Sequence, residues 1–100
     1  MVAITKAVAV ARLGDVPEAK CFWSRDGKCP KNLRELETAL RQMPEETFRY
    51  HANEAKNDFS QWVQDVIGDD KLARDLRKSL NGAQAARSIA SRIAWLESRN

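Results

Sequence analysis

The polar side chains best suited to chemistry in this chain of 100 residues lie together at His51, Asn53, Asn57 and Asp58. His51 is the sole histidine. It could exchange a proton near neutral pH, with Asp58 orienting the ring and the two amides holding a polar ligand, which are the parts of a small-molecule-binding or hydrolytic pocket. The same four residues serve equally as pins at a helix junction. Asn57 or Asp58 can cap the helix that follows, Asn53 can satisfy carbonyls at the end of the helix before, and His51 can donate into the same turn. Helix ends regularly demand such partners, so pinning ranks first and no residue is assigned as catalytic.

Other chemistries find less support. Metal binding would need His51 joined by Cys21, Cys29 and a carboxylate, and one histidine with two cysteines eight residues apart matches no standard zinc spacing. Neither cysteine has a histidine beside it in sequence, and no serine sits in a glycine-flanked elbow. The four glycines stand singly, which argues against a glycine-rich phosphate loop. No metal and no cofactor is expected.

Two further clusters suit binding. Lys20, Arg25, Lys28, Lys31 and Arg34 surround Phe22 and Trp23, with Asp26 the one acid among them. Interleaved cations and rings are what single-strand nucleic-acid readers use to hold phosphates and stack bases. The simpler reading sends one ring into the core and covers the other. Trp95 lies about 120° from the Ile89, Ile93 and Leu96 stripe on a helical wheel, among Arg87, Ser88, Ser91 and Arg92. It either packs on the chain terminus or, with Arg92, anchors a protein partner or a second copy of the chain.

These residues need elements to hold them. Val2, Ile4, Val8 and Val10 share one parity, with alanines or Thr5 on the other, which predicts a strand over 2–13, although the alanine richness leaves a helix open. Lys20 to Lys28 reads as a second strand entering a tight turn at Asp26-Gly27. In that register Cys29 faces Ser24 and Cys21 lies three pairs further out, which does not favour a disulfide; both cysteines are read as small core residues.

Helical signals follow from Asn32, which with Glu35 makes a capping box ahead of Leu33, Leu36, Leu40 and Met43. Pro44 ends that helix and opens another carrying Phe48, Ala52 and Ala55. Asn57 or Asp58 opens a third, whose face is Phe59, Trp62, Val63, Val66 and Ile67. Gly68 closes it and Asp69 caps a fourth bearing Leu72, Ala73, Leu76 and Leu80. Asn81-Gly82 closes that helix, and the last covers 83–98 with Ala86, Ile89, Ile93 and Leu96 inward. The expected fold is a single domain over 1–100, α+β but predominantly helical: a short N-terminal β-hairpin or meander followed by about five short helices.

The stretch FRYHANEAKNDFSQWVQDVIGDDKLARDL at 48–76, preceded by FWSRDGKCPKNLRELETAL at 22–40, resembles a family of small prokaryotic, mainly archaeal, proteins known only as a domain of unknown function. The likeness covers roughly residues 20–80 and is most specific at His51, Asn53, Lys56, Asn57, Asp58, Phe59 and Trp62. It implies a core at about 20–80 flanked by the N-terminal strand and the helix at 83–98, and it supplies no activity.

Composition agrees with one small core: 43% hydrophobic and 31% charged residues. No window approaches the roughly 18–20 apolar residues of a membrane span. The net charge of +3 hides an acidic centre, since residues 44–70 carry two basic and seven acidic side chains while 77–100 carry five and one. An anionic partner should therefore meet the hairpin or the final helix. Two cysteines and the lack of a secretory leader suggest a cytoplasmic setting. The function expected is a non-enzymatic protein-interaction domain, able to self-associate through Trp95 and the basic final helix. A nucleic-acid-binding module using residues 20–34 is the alternative, and a pocket around His51 and Asp58 the third reading.

Overall fold

The computed structural model describes residues 4–99, and these are all-helical. Helix α1 is Lys6–Leu13, α2 Leu33–Gln42, α3 Glu45–His51, α4 Asp58–Trp62, α5 Asp70–Arg77 and α6 Gly82–Ser98. A single 3₁₀ turn lies at Glu18–Lys20, and α4 runs on through a π turn at Val63–Ile67. No helix among the described residues is long and apolar enough to cross a membrane.

Side-chain oxygens start five of these helices. Thr5 accepts from the Val8 N–H, Asn32 from Glu35, Asn57 from Ser60, Asp69 from Leu72 and Asn81 from Gln84. Each satisfies one of the amide donors that a helix start leaves unpaired. Gly68 ends the α4 segment at φ 83°, a left-handed conformation that costs glycine little, and its N–H returns to the Val63 carbonyl at 2.8 Å.

The expected α+β fold is overturned: the described residues contain no sheet, only an isolated bridge between Ala52 and Asn57. The strand expected over 2–13 is helix α1 from Lys6 onward, and Val2 lies outside the described residues. Ala7, Ala9 and Ala11 favour helix, Thr5 caps it, and α1 needs only Ala9 fully buried, so Val8 and Val10 stay 38% and 47% exposed. The expected hairpin fails for want of donors. Phe22 N–H reaches the Pro30 carbonyl at 2.8 Å and Ser24 N–H the Lys28 carbonyl at 3.0 Å. The return bonds that would make a ladder are missing, because Pro30 has no N–H and Lys28 donates to Asp26 Oδ1 at 3.2 Å instead. Residues 21–31 are therefore an irregular loop with Gly27 at its turn.

Four smaller expectations change as well. Helix α5 stops at Arg77, so Leu80 is 78% exposed rather than core, and Asn81 with Gly82 starts α6 rather than closing α5. Ala55 is exposed in the turn after α3. Cys21 is buried, but Cys29 is exposed and so is no core residue.

The longest helix, α6, is the axis of the packing and contacts α1, α2 and α5. Its Ala85, Ala86, Ile89, Ile93 and Leu96 meet Leu33, Leu36 and Leu40 of α2 in one buried cluster. Beside them Phe22, Phe48 and Phe59 stack, with ring centroids 5.0 and 5.5 Å apart along the row. The start of α6 lies so close to the end of α2 that a Cβ on Gly82 would sit 2.7 Å from the Leu40 carbonyl oxygen. Gly82→Ala should therefore lower stability by about 1–3 kcal/mol, even though alanine is the better helix former. Urea denaturation reads this directly; an unchanged or raised midpoint would contradict the close approach.

Candidate functional site

The structure brings His51, Asn53, Asn57 and Asp58 together at the α3–α4 joint, and most of their hydrogen bonds go to backbone. Asn53 Nδ2 donates to the Arg49 carbonyl at 2.9 Å, closing the end of α3, and its Oδ1 accepts from the Ala55 N–H. Asn57 caps α4 through Oδ1 and donates from Nδ2 to the Leu76 carbonyl of α5 at 3.1 Å. Ser60 adds a second tie to α5, donating its hydroxyl to the Ala73 carbonyl at 2.7 Å.

His51 is buried, 4% exposed, among the rings of Phe22, Tyr50 and Phe59. Its Nε2 accepts the Arg25 backbone N–H at 3.0 Å, and its Nδ1 lies 3.0 Å from Asp58 Oδ2. An acceptor Nε2 fixes the ring as the Nδ1–H tautomer, which donates to the carboxylate. The pair has the outline of an acid–base dyad, but the lone pair a general base would use is already taken by Arg25. Burial pushes the Asp58 carboxyl up, yet the hydrogen bonds from His51 and Lys56 outweigh it and hold the group below the ordinary carboxylate range. A hollow of about 340 Å³ beside the joint is lined by Cys21, Trp23, Asp58, Gln61, Trp62 and Asp65, among others.

Of the loop cations, Lys28 and Arg34 line one hollow of about 440 Å³ beside α2, and Lys20, Arg25 and Lys31 are not on its lining. Phe22 is buried at 4% exposure, whereas Trp23 is 68% exposed. Arg25 lies over the Tyr50 ring at 4.3 Å, Lys28 donates to Gln42 at 2.9 Å, and Arg34 pairs with Glu97 of α6. Lys20 and Lys31 are exposed. Cys21 and Cys29 are both free thiols. Burial, then the neighbouring Cys29 thiol, pushes the Cys21 thiol up. No group of three or more His, Cys, Asp or Glu is placed to hold a metal ion among the described residues.

A larger concave surface lies elsewhere, between α5 and α6. This groove of about 1020 Å³ takes Lys71, Arg74 and Lys78 from α5 and its end, and Arg87, Arg92 and Trp95 from α6. Among the described residues its one carboxylate is Asp75, which Lys71 holds at 2.7 Å. Arg74, Lys78 and Arg87 make no ion pair among the described residues. Trp95 is half-buried, with the guanidiniums of Arg92 and Arg99 at 4.3 and 4.6 Å over its ring.

Beneath the groove, Arg92 is only 9% exposed and donates from Nε to Asp69 Oδ2 at 2.8 Å. Arg12 of α1 reaches the same oxygen at 3.2 Å, while Asp69 Oδ1 caps α5. Asp69 is fully buried. Desolvation pushes its carboxyl up, but the Arg92 and Leu72 N–H bonds and the two guanidinium charges prevail and hold it below the usual carboxylate value. Arg92, read from sequence as an interface residue, therefore spends its Nε on this lock.

Sequence reasoning singled out Trp95 and the basic final helix but not the α5 wall. The signal was there: Lys71, Arg74 and Lys78 recur at i, i+3 and i+7, opposite the apolar Leu72, Ala73 and Leu76.

The joint and the groove make separable demands. His51→Ala removes the ring, strands the Arg25 N–H and unpairs Asp58, so it should cost about 2–4 kcal/mol. Asp58→Asn keeps an acceptor for the imidazole and should cost less. Denaturant midpoints of the two variants test this; a His51→Ala protein as stable as the parent would contradict the pin.

No protein-family model, no curated protein and no solved structure matches the chain.

Proposed function

We propose that the protein is a non-enzymatic binding domain that takes an anionic partner into the groove between α5 and α6. The observation that carries this reading is the convergence on one concave face of Arg74, Lys78 and Arg87, which have no carboxylate partner among the described residues. Cations gathered in a cleft with low-dielectric walls focus a positive potential outward and raise the local concentration of an anion. The reading keeps Trp95 and the basic final helix as contact elements and adds the wall supplied by α5. The same geometry weighs against a catalytic role for His51, whose two ring nitrogens are both engaged.

Two charge-reversal pairs of equal size provide the test. Arg74→Glu with Arg87→Glu alters the groove, and Lys20→Glu with Lys31→Glu alters the loop; all four side chains are exposed, so folding should survive. On immobilised heparin, the groove pair should elute at clearly lower salt than the loop pair, although both lose the same charge. Equal elution, or a larger effect of the loop pair, would overturn the assignment.

A further inference from the structure

We infer that the anion this groove accepts is the phosphodiester backbone of a single-stranded nucleic acid, held without readout of its bases. The inference rests on the groove being the binding face and adds the chemistry of the partner. Three features carry it.

The first is the arrangement of charge. Lys71, Arg74 and Lys78 lie on one side of α5 over about 10 Å, from the 1.5 Å rise per residue of a helix. Neighbouring phosphates along an extended strand stand further apart than the 3.4 Å axial rise of a duplex, so that row spans about two of them. Arg87 faces the row from α6, and a guanidinium matches two phosphate oxygens at once.

The second is what accompanies the charge. Ser88, Ser91 and Gln84 line the groove, the hydroxyl and amide donors that commonly complete phosphate contacts, while the Ser79 hydroxyl beside them donates to the Asp75 carbonyl. The large hydrophobic side chains on its described lining are Ile4 and Trp95, both half-buried, and the indole already lies against Arg92 and Arg99. A folded acidic protein would depend on buried aromatic or aliphatic anchors to bind, whereas a phosphate backbone needs cations and donors.

The third is shape. Duplex readers insert a convex element, a helix or β-ribbon, into the major groove. Here the cations line a concave face between two packed helices, which suits a flexible single strand better than the major-groove insertion by which duplexes are read.

The experiment is fluorescence anisotropy with labelled dT12 and rU12, a dT12·dA12 duplex and a 12-residue glutamate-rich peptide, at several salt concentrations from about 50 mM upward. Contact with about three to five phosphates predicts a slope of log K against log salt of about −2 to −3.5 for the single strands. Arg74→Glu with Arg87→Glu should weaken strand binding at least tenfold and flatten the slope by more than one, while Lys20→Glu with Lys31→Glu changes little. Binding of the peptide but of no oligonucleotide, lost with the groove pair, would overturn the inference and leave the binding groove standing. Tighter binding of the duplex than of the single strands would overturn the inference as well. Strand binding that is lost with the loop pair, or no binding of any probe at the lowest salt, would overturn both.

Discussion

One buried carboxylate organises the groove half of this protein. Asp69 caps α5 with one oxygen and gives the other to Arg92 of α6 and Arg12 of α1. Three helices are thereby referred to a single point that is 0% exposed. Desolvating such ions is expensive, so this cluster need not add net stability over a well-packed apolar alternative. Its consequence is directional. Removing one partner leaves a buried charge uncompensated, and a shift of α5 along α6 would carry Asp69 away from Arg92 and Arg12 together.

That constraint has a chemical corollary at the surface. Two guanidiniums share one carboxylate, so the lock leaves a positive charge in surplus under the groove. The fixed helices then set Arg74 and Lys78 on one wall against Arg87 on the other. Helix α5 works on both sides: Leu72, Ala73 and Leu76 are buried in the core, while its exposed side supplies cations. The same helix is tied to α4 by Asn57 and Ser60 through its backbone carbonyls. The His51 joint, in turn, fixes the loop at 21–31 by accepting the Arg25 amide, and Trp62 holds the Lys20 carbonyl at 2.8 Å. The residues that most invite a catalytic reading therefore hold the frame, and the binding surface is built from helix faces.

The sequence made the helices after residue 32 legible because capping is local chemistry. Asn32, Asn57 and Asp69 each lie within three residues of the amide they satisfy, whereas Asn81, which does so too, read as the end of the helix before it. What it hid were the features decided by distant partners. The Val/Ala alternation in α1 suited a strand as well as a helix, and packing against α6 and α2 required only a small residue at Ala9. The Asp-Gly turn suggested a ladder, but the pairing places Pro30 where a donor was needed. Asp69 could be read as a cap, yet nothing near it in sequence announces Arg12 or Arg92. The groove needed both helices in place before its charges could be seen to face one another.

The central claim is that Asp69 is ionised in the folded protein and held so by its guanidinium partners. Its folded pKa then lies below the ordinary value of 3.8, so the charge contributes stability in full above that value and loses it as pH falls through the folded value. The measurement is the unfolding free energy, by urea titration, of the parent and of Asp69→Asn from pH 7 to pH 3. Groups common to both proteins cancel in the difference. The account predicts a gap that is widest above about pH 5 and narrows below pH 3.8. A gap that stays constant with pH would contradict it, because the carboxylate charge would then contribute nothing to holding α1, α5 and α6 together.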